Sequence, residues 1–194
     1  MLRFGLSRFY IPRGNLLDGA RVYLRPPRYR DWRQWAELRA RSRDFLTPWE
    51  PTWPADALSR AAYRRRMRQA ALEWNTDSGY GFMIFRRDDH ALVGGINLTN
   101  VRRGVAQMIS LGYWIGAPFT RQGLMSEALG CLLPFVYDRL AIHRVEAACL
   151  PHNEASRGLL MKLGFREEGY ARQFLRINGS WQDHVLYAQV RGDQ

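Results

Sequence analysis

The stretch best suited to chemistry is TRQGLMSEA at residues 120–128, where a single glycine, Gly123, stands between a strand-like run and a helix-like run. A strand, a tight glycine turn and a helix N-terminus aim several unpaired backbone N–H groups and the positive end of a helix dipole at one point. That arrangement attracts an anion, although the same letters also spell an ordinary strand-to-helix connection. A glycine-rich run ending in Lys-Ser or Lys-Thr is absent, and so is the paired-glycine dinucleotide fingerprint. A second helix start stands at Asn153, ahead of EASRGLLMKLG, where an asparagine N-cap and the first-turn Ser156 suit either a purely structural role or contact with a ligand. His90 lies in a turn signal, and His143, His152 and His184 lie at element edges. No pair of them has helical metal-ligand spacing, so no metal is expected. Cys131 and Cys149 lack paired spacing and neighbouring histidines, and they read as reduced core residues of a cytoplasmic protein.

The elements that must position these residues follow from periodicity. ARVYLRP gives a first strand stopped by Pro26 and Pro27. Asp31 is placed to cap a helix with Trp32, Trp35 and Ala36 on one side, and a proline-broken loop, FLTPWEPTWP, leads to a second helix. On that helix Tyr63, Met67, Ala70, Ala71 and Trp74 recur at helical spacing. Short apolar runs at 80–85, 91–99 and 107–115 predict a meander, and their apolar character on both faces implies a covered sheet. A helix then runs to about Leu140 with a kink at Pro134, followed by a strand at 144–150 and a helix opened by Asn153 and closed at Gly164. FLRINGSWQDHVLYAQV is a hairpin turning at Asn178-Gly179. The order predicts one α/β domain with a mixed, seven-stranded sheet.

Bulk properties narrow the classes. The chain has 194 residues, 46% of them hydrophobic and 13% aromatic, enough for a sizeable core. No apolar run approaches the length of a membrane span. The opening MLRFGLSRFYIPRGN is basic but lacks the apolar segment and cleavage pattern of a secretory signal. Residues 1–19 carry little periodicity and read as an extension before the domain at 20–194. The net charge is +11, with Lys162 the only lysine among 29 basic residues, and this excess of arginine favours phosphorylated cofactors or RNA as partners. The densest run, RRRMR at 64–68, falls mostly on the solvated face of its helix, with an RNA contact as the other reading.

IGAPFTRQGLMSEA, a following strand, and PHNEASRGLLMKLGF together resemble the acetyl-CoA-binding core of the GCN-five-related N-acetyltransferases, the GNAT superfamily. FLTPWEP, LGYWIG, GLMSEAL, IHRVEA, PHN and LGFREEGYA…INGSWQDHVLYA are similar to its RimJ/RimL branch, the ribosomal-protein alanine N-acetyltransferases, in matching order from about residue 20 to 190. The resemblance implies the GNAT fold: a mostly antiparallel sheet with helices on both faces and a cofactor cleft where two central parallel strands splay. The superfamily's pyrophosphate loop runs Gln or Arg, two residues, Gly, one residue, Gly or Ala. Here Thr120 and Met125 depart at its ends while Gly123 is kept. Backbone contacts from Gly123, Leu124, Met125 and Ser126 then hold phosphate, Arg121 adds a charge-assisted contact, and Asn153 closes the cleft beside the pantetheine arm.

The same resemblance implies the chemistry. Tyr113, Trp114 and Ile115 line the cofactor and supply a backbone N–H to the oxyanion. The superfamily's thiolate-protonating tyrosine is replaced here by Leu160, so Ser156 becomes the proton donor and Glu168 the base, directly or through water. Strand alternation sends only one of Glu167 and Glu168 toward the cleft. Trp49 and Trp53 form a rigid aromatic wall that suits an acceptor-binding lip as well as it suits packing of a long connection. Three functions compete: N-α-acetylation of an Ala- or Ser-starting ribosomal protein, free or in an assembling subunit; acetylation of a polyamine or aminoglycoside; and a non-catalytic domain binding RNA or the ribosome.

Overall fold

The computed structural model describes residues 16–193. In chain order the elements are β1 (Leu17–Asp18), β2 (Val22–Arg25), α1 (Trp32–Arg41), α2 (Arg43–Leu46), α3 (Arg60–Asn75), β3 (Tyr80–Arg86), β4 (Leu92–Arg102), β5 (Met108–Ile115), α4 (Leu124–Pro134), β6 (Arg144–Cys149), α5 (Glu154–Lys162), β7 (Arg166–Ile177) and β8 (Ser180–Val190). They form one eight-stranded sheet, ordered β1-β2-β3-β4-β5-β6-β8-β7. Every pairing is antiparallel except β5 with β6.

The expected count of seven strands is therefore corrected to eight. The additional strand, β1, pairs Leu17 with Leu24 and Asp18 with Tyr23, inside the segment read as an extension. Two residues are too few to show a period of two, so only the pairing reveals the strand. Residues 1–15 of that expected extension lie outside the described residues. Among the described residues no helix is long and apolar enough to cross a membrane.

Helices cover both faces of the sheet. On β3, Phe82 and Ile84 join a core with Leu129, Leu132 and Leu160 of α4 and α5, whereas Met83 and Phe85 pack with Trp35 and Leu38 of α1 and Tyr63 and Met67 of α3. This is the alternation of a sheet buried on both sides. Arg64, Arg65 and Arg68 of α3 are exposed, as its periodicity required, while Arg66 lies over the Trp35 ring, 5.5 Å from its centroid. Asp31 departs from expectation, because its side chain does not cap α1 but closes the preceding turn at Tyr29–Asp31. It is buried, takes a bidentate contact of 2.7 Å from Arg25, and accepts the Arg28 N–H. A buried carboxylate gains more from a guanidinium than from helix amides. Pro134 ends α4, and the next residues widen into a π turn in which Leu140 N–H reaches Phe135 C=O at 3.0 Å.

Candidate active site

Strands β5 and β6 pair over three residues only: Met108 with Arg144, Ile109 with Val145, and Ser110 with Glu146. Beyond Ser110, β5 stays bonded to β4 as far as Ile115, while β6 follows β8 as far as Cys149. The two parallel neighbours thus part, and their facing edges carry backbone groups with no strand between them. An extended ligand arm can add itself there by strand-like hydrogen bonds.

The turn at Gly123 sits at the end of the β5 wall. Gly123 is the N-cap of α4 at φ 75°, and no side chain among the described residues caps the helix. Arg121 is also left-handed, at φ 57°. Leu124 and Met125 bury their side chains in the core, so their contribution to a ligand is limited to backbone N–H, and Ser126 is half-buried beside them. Arg21 is the residue that sequence reasoning missed. Its Nε binds Glu127 at 2.8 Å, its Nη1 donates to the Gln122 carbonyl at 3.0 Å, and its Nη2 lies 3.3 Å from where a Gly123 Cβ would stand. Glu127, held below its ordinary pKa by hydrogen bonds from Arg21 and Val22 that outweigh its burial, fixes that guanidinium over the turn. Bare helix amides with two arginines beside them fit a pyrophosphate.

On the other wall Asn153 caps α5, accepting the Ser156 N–H at 3.1 Å. Its amide Nδ2 has no partner among the described residues. Ser156 Oγ lies 2.7 Å from Tyr113 Oη, so a hydroxyl pair bridges β5 to α5 behind the split. Burial pushes the Tyr113 phenol up to about 12, so it stays protonated. Cys149, whose thiol burial also raises, lies beside Ser156. Tyr113 was expected only to line the cofactor and lend a backbone N–H; its hydroxyl also contacts Ser156. Trp114 points the opposite way, over Gly95, where an added Cβ would fall 2.6 Å from its Nε1. That close approach requires glycine on β4.

Glu167 and Glu168 diverge, as alternation required. Glu167 Oε2 accepts from Arg157 and from Tyr187, on the side of α5. Glu168 takes both terminal nitrogens of Arg144, whose Nε binds Glu146 at 2.8 Å, on the opposite face. The Arg144 guanidinium holds the Glu168 carboxyl below its ordinary value. The structure thus brings together Ser156, Tyr113 and Asn153, and it places Glu168 in a separate carboxylate–guanidinium cluster at the point where β5 and β6 part.

The lip after α2 closes the open end. The Trp49 ring meets the His152 ring at 5.5 Å. Trp53 donates to Glu50 at 2.7 Å, Glu50 clamps Arg39 through both oxygens, and Arg39 lies 4.2 Å from the Trp53 ring centroid and 4.9 Å from that of Trp114. Glu50 C=O also accepts the Asn178 N–H at 2.9 Å, so the tip of the β7–β8 hairpin is tied to the lip. Ser42, fully buried, accepts the Ala117 N–H at 2.9 Å and joins the lip's base to the chain after β5. Trp53 therefore braces the lip, while Trp49 faces the end of β6.

A sheet that opens between its two parallel strands onto a bare, arginine-flanked helix end defines the architecture of a CoA-dependent acyltransferase. The sequence profile described as Acetyltransferase (GNAT) domain matches residues 21–166, and the chain belongs to that family. The [ribosomal protein uS5]-alanine N-acetyltransferase of Escherichia coli (strain K12) is 36% identical over 173 residues, 89% of each chain. The structure of a ribosomal-protein-S5-alanine acetyltransferase from Vibrio fischeri superposes with a TM-score of 0.85 at 26% identity, over 92% of this chain and 97% of that one. Mycobacterium smegmatis RimJ in complex with CoA-disulfide gives a TM-score of 0.82 at 31% identity, over 87% and 81%.

Proposed function

We propose that this protein uses acetyl-CoA to acetylate the α-amine of a protein N-terminus, an alanine or serine of a ribosomal protein, in the cytoplasm. The observation that carries the reading is the parting of β5 and β6 after Ser110 and Glu146, with the uncapped α4 at its rim. The similarity to the Escherichia coli uS5-alanine enzyme supports the acceptor.

In this reading the Gly123 turn, Arg21 and Arg121 hold the pyrophosphate, and Asn153 and the free edge of β5 hold the pantetheine arm. The acceptor enters under the Trp49 lip. An α-amine with a pKa of about 7.7–8.0 is partly neutral at pH 7, so it needs little help to attack the thioester carbon. An N–H of β5 near Tyr113, Trp114 and Ile115 stabilises the oxygen that gains charge. As the carbon–sulfur bond breaks, Ser156, held in place by its contact with the Tyr113 hydroxyl, gives its proton to the sulfur and regains one from solvent as the thiol leaves. The proton shed by the new amide nitrogen leaves through water toward Glu168, whose lowered pKa makes it an organiser of that water more than a strong base.

A polyamine or aminoglycoside calls for unpaired carboxylates in the acceptor site. Glu146 and Glu168 both pair with the one Arg144 guanidinium, so neither stands as a free carboxylate for a polycation, which favours the N-terminal acceptor. The test is initial acetylation rates for Ala- and Ser-starting peptides, free ribosomal protein, assembling subunits, spermidine and an aminoglycoside. Peptides or ribosomal protein should turn over and the small amines should not. Efficient turnover of a small amine with no N-terminal substrate overturns the acceptor and leaves the cofactor site standing.

A further inference from the structure

A groove of about 610 Å³ lies away from the cleft, on the outer face of α3, lined by Tyr29, Ala61, Arg64, Arg65 and Arg68. None of these residues belongs to β5, β6, α4 or α5. Arg64 and Arg68 stand one helical turn apart, on one face. Arg65 meets Asp56 at 2.5 Å, with both side chains at least half exposed. Arg64 and Arg68 have no hydrogen-bond or ion-pair partner among the described residues, and Arg60, which rests 5.9 Å from the Trp32 ring centroid, extends the charge along the helix. The nearest acid further along α3, Glu73, is taken by Gln69. Like charges at this spacing destabilise a helix by a few tenths of a kcal/mol unless an anion lies between them. Tyr29, 56% exposed, and Ala61 complete the lining.

We infer that this groove binds single-stranded RNA, with phosphates on Arg64 and Arg68 and a base stacked on Tyr29. Unpaired arginines beside one exposed aromatic ring are the elements of sequence-tolerant single-strand binding: cations follow the backbone, and a flat ring accepts any base. The choice of RNA rests on the proposed ribosomal acceptor. A basic enzyme gains no long-range attraction to a basic ribosomal tail, whereas an RNA-binding face would bring it to the particle that carries that tail.

The test is fluorescence anisotropy of a labelled, pyrimidine-rich RNA strand of about 12 nucleotides with the full-length protein at several salt concentrations. The Arg64→Gln/Arg68→Gln variant should bind more weakly and lower the log–log salt slope by about 1.4, roughly 0.7 per phosphate. Tyr29→Ala should weaken binding about tenfold with the slope unchanged, and Tyr29→Phe should restore it. All of these variants should keep the CoA-induced rise in Tm, which shows that they fold. Wild-type affinity and slope in the double variant overturn the site. So does a double variant that loses binding to anionic phospholipid vesicles while RNA binding stays intact. Peptide acetylation is measured on the same samples: if it fails while RNA binding follows the expected pattern, the acceptor assignment falls and the RNA site stands.

Discussion

The two helix ends that face the cleft are built differently. At α5, Asn153 satisfies the first free amide from its own side chain, and the helix start is complete without a ligand. At α4 the cap position is Gly123, no side chain among the described residues reaches the amides, and two residues of the turn are left-handed. A helix with glycine at its cap forgoes only about a few tenths of a kcal/mol relative to a side-chain cap, so leaving the donors bare costs little. Arg21 and Arg121 then add charge of one sign instead of a carboxylate. The capped end orders Ser156, the hydroxyl proposed to protonate the leaving sulfur; the bare end is the one proposed to take phosphate. Under the proposed function, affinity belongs to α4 and chemistry to α5, and each proposal has a variant that breaks it.

The largest effect is expected at the bare end. CoA at about 100 times its Kd should stabilise the wild-type protein by about 2.7 kcal/mol, roughly 5–10 °C in Tm for a chain of this size. Gly123→Asp puts a carboxylate where phosphate must approach, in a conformation that strains any L-residue, and should erase that shift. Thermal unfolding with and without CoA checks it, and a variant that keeps the full shift refutes the phosphate role of the turn.

Chemistry should fail next, with binding intact. Ser156→Ala leaves Tyr113 as the remaining hydroxyl, and Glu168→Gln frees Arg144 from one carboxylate. Each should lower kcat toward the lower end of the roughly 10²–10⁴-fold typical of general acid–base groups, with little change in CoA affinity. The pH profile separates the roles. Because Arg144 holds the Glu168 carboxyl below its ordinary value, Glu168 is ionised throughout the neutral range. The rise of kcat/KM with pH should therefore follow the acceptor amine near about 8, in both wild type and Glu168→Gln. The same depressed pKa means that the ion pair stabilises the fold fully above about pH 4.3 and is lost as pH falls through the folded value. A Glu168→Gln variant that shifts the activity limb would make Glu168 the titrating base itself.

What was legible in the sequence was local. Asn153 and Gly164 bracket α5 within its own residues, Asn178-Gly179 turns the hairpin at φ 43° and 86°, and Gly123 marks its turn. Glu167 and Glu168 were separated correctly because alternation is a local rule. What escaped depends on chain segments that meet only after folding. Arg21 reaches Glu127 across 106 positions, Ser42 reaches Ala117 across 75, and Tyr113 reaches Ser156 across 43, with no periodicity to announce any of them. Asp31 shows the reverse case: its local signal was a cap for α1, and its carboxylate is taken by the buried Arg25, six residues earlier. The split between β5 and β6 belongs to the same class, since both strands read as ordinary strands until their pairing is seen to stop.

The smallest and sharpest test lies at the capped end, where Asn153 does two things with one side chain. Its Oδ1 caps α5, and its Nδ2 is unengaged on the side of the cleft. Asn153→Ala removes both and should cost about 1 kcal/mol of stability, a fall of about 2–4 °C in Tm, together with some CoA affinity. Asn153→Asp keeps an oxygen for the Ser156 N–H and places negative charge at a helix N-terminus, where the dipole favours it, so Tm should hold. The aspartate has no N–H to give, and its CoA affinity should fall about fivefold, the worth of one ordinary hydrogen bond. Thermal unfolding and CoA titration of the two variants separate the roles. If Asn153→Asp binds CoA as the wild type does, Asn153 is a cap alone. The α5 end would then be wholly structural apart from Ser156, and the contrast with α4 would be stronger still.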